Sequence, residues 1–165
     1  MQNKKTQIAA MPFRHGERGV EVLLITTRDT GRWIIPKGWP HKGKSFPESA
    51  ACEALEEAGV VGEMLQEALG SYWYDKRLET GAILACEVLV YPLWVDLQLS
   101  SWREVGQRDR RWFPIDDAAR LVEPALRPLF DRLLQRMSMD GATPPSLQPA
   151  ADPPTLVARR LARAW

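Results

Sequence analysis

Cysteine and histidine are scarce in this chain, with two of each among 165 residues. Cys52 and Cys86 show no metal-type spacing, so neither a disulfide framework nor a zinc cluster is expected. Reduced thiols in a cytoplasmic protein are the simplest account. No apolar run approaches the roughly 18 residues of a membrane-crossing helix, and no basic-plus-apolar leader opens the sequence. Excess charge of one sign is also missing, since 22 Lys+Arg against 21 Asp+Glu leave a net charge of +1. No global field therefore draws the chain to nucleic acid or membrane, and anion recognition must be local. No internal repeat occurs. The expectation is a soluble chain long enough for one genuine core and too short for two.

One further absence is local. Between Ser45 and Gly59 there is no lysine, arginine or histidine, although the segment carries Glu48, Glu53, Glu56 and Glu57. It predicts a helix over Ser45–Ala58: Ser45 and Glu48 form a capping box, Pro47 suits the first turn, and Gly59 suits a left-handed stop. Ala51, Leu55 and Ala58 line an apolar face, while Glu53, Glu56 and Glu57, at spacing i, i+3, i+4, share another. Like charges so spaced destabilise a helix by about 0.2–0.5 kcal/mol per pair, and anions near its C-terminus oppose the macrodipole. Such a face is tolerated when fully solvated or when something positive sits on it. Hard oxygen ligands without a Cys or His cluster select Mg²⁺ or Mn²⁺ over zinc. From the helix alone, solvation is the plainer account.

The preceding loop reverses that preference. From Arg28 to Lys44 the chain carries Arg28, Arg32, Lys37, Lys42 and Lys44, plus His41, against the single acid Asp29. A basic loop with Gly31, Gly38 and Gly43 can approach phosphate oxygens closely, and a carboxylate-held divalent ion can bridge the same phosphates. Mutual neutralisation by salt bridges is the bland alternative, but surface pairs contribute too little to explain such sorted charge. Phosphate chemistry is favoured.

These residues resemble the Nudix box, G-x5-E-x7-R-E-U-x-E-E-x-G-U with U aliphatic. Anchored on Gly38, the chain matches it at Glu53, Glu56, Glu57, Gly59 and Val60. Ala9–Arg14, Glu21–Arg28 and Arg32–Gly38 are similar to the opening strands of diphosphoinositol polyphosphate phosphohydrolases within that superfamily, and Arg111–Ala118 to the strand and turn before its last helix. The resemblance spans roughly residues 7–137 and implies an α/β/α sandwich with a mixed central sheet. It further implies a metal site of Glu53, Glu56, Glu57 and the Gly38 carbonyl, holding Mg²⁺ or Mn²⁺. Glu53 and Glu57 are then the catalytic carboxylates, with Glu53 the first choice of general base and Glu104 or Asp109 the late-loop alternatives. Arg14, Arg28, Arg32, Lys37, Lys42 and Lys44 are the candidate phosphate ligands; His41, Lys76 and Arg77 are weaker ones, and Trp39 is the tryptophan placed near the site.

Two box positions differ. Lys44 stands where the pattern has its first glutamate, and Cys52 where it has arginine. Glu48, four residues before Cys52, is a stand-in for the missing glutamate if the Pro40–Phe46 loop runs differently. Cys52 as a reactive nucleophile has no nearby histidine in sequence to support it. The reading is a divalent-metal-dependent hydrolase cleaving a pyrophosphate linkage in a small phosphorylated substrate of the diphosphoinositol polyphosphate or diadenosine polyphosphate type. The rival is a weakly active or inactive module that binds a phosphorylated metabolite as a sensor.

Strands are read at Val20–Thr27, Trp33–Pro36, Gly70–Arg77, Ile83–Val95 (with Pro92 marking an edge or bulge) and Arg110–Pro114, and further helices near Asp116–Leu121 and at Pro124–Met137. Residues 1–137 form the domain. Residues 138–154, holding five of the thirteen prolines, read as a linker. Residues 155–165 read as a short amphipathic helix or tail, with Leu156, Leu161 and Trp165 on one side. It docks on its own domain or on a second subunit of a homodimer, frays in solution, or touches an anionic surface.

Overall fold

Unbroken burial over Gln7–Phe13 and Val22–Thr26 requires a sheet covered on both faces. The computed structural model, which describes residues 5–139, supplies that cover. The strands are β1 (Lys5–Gly16), β2 (Gly19–Thr26), β3 (Trp33–Ile34), β4 (Lys37–Gly38), β5 (Val60–Met64), β6 (Gly70–Arg77), β7 (Ile83–Gln98) and β8 (Arg110–Pro114). They form one sheet of order β3-β2-β1-β7-β5, with β4 beside β1, β6 beside β7 and β8 beside β2. β1 and β7 run parallel and every other pairing is antiparallel, so the sheet is mixed.

Side chains alternate across these strands into two cores. Ala9, Met11, Phe13, Val22, Leu24, Val88 and Val90 pack with Ile115 and Ala118 of α2 (Ile115–Leu121) and Leu129, Phe130 and Leu133 of α3 (Arg127–Met139). A 3₁₀ turn, Pro124–Leu126, joins those helices. On the opposite face Ile8, Ala10, Leu23, Ile25, Tyr91 and Leu93 meet Ala50, Ala54 and Ala58. Helices therefore cover both faces, which is the expected α/β/α sandwich.

The glutamate-bearing helix departs from the sequence reading in two ways. Its start is as expected: the Glu48 N–H donates to Ser45 Oγ at 3.2 Å and the Ser45 N–H donates to Glu48 Oε2 at 2.9 Å. But α1 proper is Phe46–Glu53, and Ala54–Ala58 widens into a π turn. The Gly59 N–H is shared between the Ala54 and Leu55 carbonyls, with Gly59 left-handed at φ 64°. The face turned to the sheet is Ala50, Ala54 and Ala58, with Ala51 only half-buried, because the alanines let the helix lie close.

Pro92 is neither at an edge nor at a bulge. β7 is interior there, pairing Pro92 with Met11 of β1. On the other side β6 stops at Val90 and β5 starts at Leu93. The Pro92 carbonyl accepts the Leu65 N–H at 3.0 Å on that side. Its missing N–H thus faces the handover between the two strands and removes no rung from β1. β4 and β5 were not foreseen, being a two-residue strand and a run that continues straight from the helix stop. α3 runs through Met139, two residues into the stretch read as linker; the rest of that linker and the 155–165 tail lie outside the described residues.

Candidate functional site

β4 pairs with β1 through Ile8 and Gly38, which sets Gly38 under α1. A Cβ built on Gly38 would lie 2.5 Å from Glu53 Cδ, so only glycine lets the Glu53 carboxyl lie flush against this backbone. Glu53 and Glu57 are buried, at 8% and 7% exposure, while Glu56 is half-buried. Each meets a basic side chain from outside the helix. His41 Nε2 is 2.9 Å from Glu53 Oε1, Arg103 Nη1 is 3.4 Å from Glu56 Oε1, and Arg108 Nη2 is 3.9 Å from Glu57 Oε2. The His41 N–H donates to Ser49 Oγ, tying the basic loop to α1.

Burial pushes the Glu57 carboxyl up to about 8, with Glu53 adding to the rise and Arg108 opposing it. Glu56 is also raised, chiefly by burial and then by Glu53. Burial pushes the Cys52 thiol up, which keeps it protonated and argues against a thiolate nucleophile. Burial lowers Lys37, whereas Glu57 and Glu123 favour its charged form.

The loop after β7 closes the site from the far side. The Glu104 N–H donates to the Glu56 carbonyl at 3.1 Å. Glu104 Oε1 lies 3.4 Å from Arg28 Nη1 and 3.7 Å from Arg108 Nη2. Of the two late-loop acids named from sequence, Glu104 thus stands at the carboxylates, while Asp109 exchanges backbone and hydroxyl bonds with Thr26. Arg110 Nη1 donates to the Ala58 carbonyl at 2.8 Å and its guanidinium stacks 3.8 Å over Trp102, giving the π turn a positive group at its C-terminal end.

The predicted cations divide. Arg28 sits beside Glu104, and Arg32 and Lys37 line a cleft of about 560 Å³ whose walls include Trp33, Tyr72, Tyr74, Asp75, Arg120, Glu123 and Arg127. Lys42 and Lys44 are exposed on the turn before α1. Arg14 does not join them. It lies six residues along β1 from the Ile8–Gly38 pair, about 20 Å at strand rise, where it donates to Glu21 and stacks 4.1 Å over Trp112. Glu48 is exposed and committed to the helix cap, so it does not replace the missing box glutamate. Lys76 reaches Trp39 at 5.7 Å, as a neighbour of the site. Arg108, Tyr74 and Glu123 were not singled out from sequence. Arg108 lies in a loop rich in charge, and nothing local distinguishes the arginine that turns inward.

Whether these residues suit a divalent ion can be judged from their donors. Glu57 Oε2 is buried with no hydrogen-bond partner, Gly38 leaves room where any side chain would intrude, and the other donors are carboxylate oxygens. The donor chemistry fits a hard cation. As the side chains stand, no three His, Cys, Asp or Glu among the described residues form a ready cage. Glu53 and Glu56 are turned toward His41 and Arg103 instead.

Residues 4–133 match the NUDIX domain family. Nudix hydrolase 21, chloroplastic, of Arabidopsis thaliana is 33% identical over 120 residues, 70% of this chain and 59% of that protein. Diphosphoinositol polyphosphate phosphohydrolase 3-beta of Bos taurus is 31% identical over 156 residues, 91% and 88% of the two chains. The chain spans only 56–59% of the length of three of the plant relatives. Among solved structures, the C. elegans Ap4A hydrolase superposes with TM-score 0.59 at 17% identity, covering 83% of this chain and 99% of that one. The NUDIX domain of Shewanella oneidensis NrtR complexed with ADP ribose gives 0.62 at 17%, covering 83% and 90%. The structural likenesses speak for the fold, and the sequence match for descent: this chain belongs to the Nudix family.

Proposed function

We propose that the chain is a divalent-metal-dependent hydrolase that cleaves a pyrophosphate linkage in a small phosphorylated substrate. The observation that carries this is the buried Glu53–Glu57 pair, with the Glu53 carboxyl set flush against the Gly38 backbone, next in sequence to Lys37 of the cleft wall. Nothing in the core requires two buried carboxylates, and burying them costs stability unless a cation or a proton compensates.

Glu53, Glu56, Glu57 and the Gly38 carbonyl would hold Mg²⁺ or Mn²⁺. When bound, that ion polarises phosphate oxygens and lowers the pKa of an attacking water. Glu53 would accept a proton from the attacking water, with His41 Nε2 against its Oε1 to hold the carboxylate in place. Arg28, Arg32 and Lys37 hold the phosphates in line, and Lys42 and Lys44 add charge at the rim. The free, buried Cys52 and Cys86 agree with a reducing, cytoplasmic setting. Among the described residues, no helix is long and apolar enough to cross a membrane.

Two substrate types remain in play. The bovine relative named above is a diphosphoinositol polyphosphate phosphohydrolase, and the rim cations suit so dense an anion. The cleft wall favours the diadenosine polyphosphate type instead. Asp75 and Glu123 stand there among Arg32, Lys37, Arg120 and Arg127 and can accept hydrogen bonds from a base lying near Trp33 and Tyr74. An assay panel of both types with Mg²⁺ and Mn²⁺, reading released phosphate or nucleotide, decides between them. Glu57→Gln is expected to lower kcat at least a hundredfold with the fold retained by circular dichroism. Full activity in that variant would refute the reading. A ligand bound without turnover, measured calorimetrically with a non-hydrolysable pyrophosphate, would support the sensor.

A further inference from the structure

The three carboxylates at the helix end have no basic residue on their own helix, and Cys52 occupies the place where the family pattern has an arginine. A thiol carries no charge here and offers no fork of donors. The compensating cations come from elsewhere. Arg103 is 60% exposed at its side chain, so solvent and salt screen its contact with Glu56. Arg108 is different, with its side chain 10% exposed beside a Glu57 side chain at 9%.

We propose that Arg108 is the positioning residue for Glu57, replacing from the late loop the arginine that the helix lacks. Its Nη1 donates to the Thr26 carbonyl at 3.0 Å, which fixes one side of the guanidinium to β2. Its Nη2 faces Glu57 Oε2 at 3.9 Å and Glu104 Oε1 at 3.7 Å. Arg108 Nε and Glu57 Oε2 are both buried and both without a hydrogen-bond partner. A donor and an acceptor thus stand open in neighbouring groups, and a shift of about 1 Å would bring Nη2 and Oε2 into the roughly 2.7–2.9 Å range of a charge-assisted bond. The loop is anchored for this at both ends. The Glu104 N–H holds the Glu56 carbonyl, and Asp109 exchanges two bonds with Thr26: its N–H donates to Oγ1 and its carbonyl accepts the Thr26 N–H.

The kinetic arm of the test rests on the hydrolase reading, and the structural arm does not. In the structural arm, Arg108→Ala, Glu57→Gln and the double variant are melted without metal at about pH 9, where the folded Glu57 carboxyl is ionised. Arg108→Ala is expected to lower Tm by several degrees in the wild-type background and by less than half as much beside Glu57→Gln, because its partner's charge is gone. Equal losses in both backgrounds would overturn the pairing. In the kinetic arm, Arg108→Ala lowers kcat at least tenfold with KM within threefold, and Arg108→Lys recovers part of the loss. A kcat within twofold of wild type would overturn the positioning role. If Arg108→Ala does not fold, Arg108→Gln, which keeps a donor for the Thr26 carbonyl, takes its place in both arms. Thermal coupling in a chain that cleaves no pyrophosphate would uphold the pair and sink the hydrolase reading alone.

Discussion

Glu57 shows how one buried side chain links stability to pH. Its carboxyl is raised from an ordinary 4.5 to about 8, first by burial and then by Glu53. A raised folded pKa means that the fold favours the neutral acid. Below about pH 4.5 the group is protonated in both folded and unfolded chains, and this contribution to stability is complete. As pH rises, the unfolded chain ionises first, so the contribution is lost progressively up to about pH 8. The metal-free protein is therefore expected to show a falling Tm across that window. Glu57→Gln should flatten most of the slope and melt above wild type at the alkaline end. A Tm that rises through the same window would mean that Arg108 outweighs burial at Glu57.

Among the elements, the helix that bears the carboxylates is governed by small residues. Ala50, Ala54 and Ala58 lie against Ile8, Ala10, Leu23 and Ile25, and this close seam lets Glu53 touch Gly38. Overpacking such a seam costs about 1–3 kcal/mol. Ala54→Leu should lower stability by that order in denaturant melts and lift the helix from β4, so that kcat falls more than the stability loss explains. Much of this element could be read from sequence. Ser45, Glu48 and Gly59 mark its ends through local hydrogen bonding, which depends on residue type and spacing alone. The π turn has no local mark in the sequence, and the groups that pack on it, Trp102 at Gly59 and Arg110 at the Ala58 carbonyl, come from a distant part of the chain. The same limit hid Arg108. A loop arginine looks alike whether it points to solvent or inward, and tertiary contacts with Thr26 and Glu57 decide it.

At the level of the whole molecule, charge is sorted by depth. The net charge is +1, yet Arg28, Arg32, Lys42 and Lys44 are exposed around a site whose carboxylates are buried. Screening lengths shrink from about 10 Å at 0.1 M salt to about 3 Å at 1 M, and exposed charges feel this far more than buried ones. Raising salt over that range should increase KM severalfold for a polyanionic substrate while kcat stays within twofold. A salt effect on kcat alone would mean that the rim cations are not the phosphate grip. The sandwich itself was legible, since strands buried on both faces and alternating with helices admit few other arrangements. The division of the cations was not. Arg14 lies close in sequence to Ala9 and Ala10, but an extended strand carries it to the opposite end of the sheet.

The widened turn at Ala54–Ala58 holds one residue more than a regular helix needs to reach its glycine stop. A lineage that lost this spare residue would gain better backbone geometry. It would also revolve Glu56 and Glu57 by about 100° relative to Glu53, separating acids that now act on one another. Chain length at this point thus sets where the acids point, and deleting Ala54 or Leu55 should disturb the site as replacing an acid would.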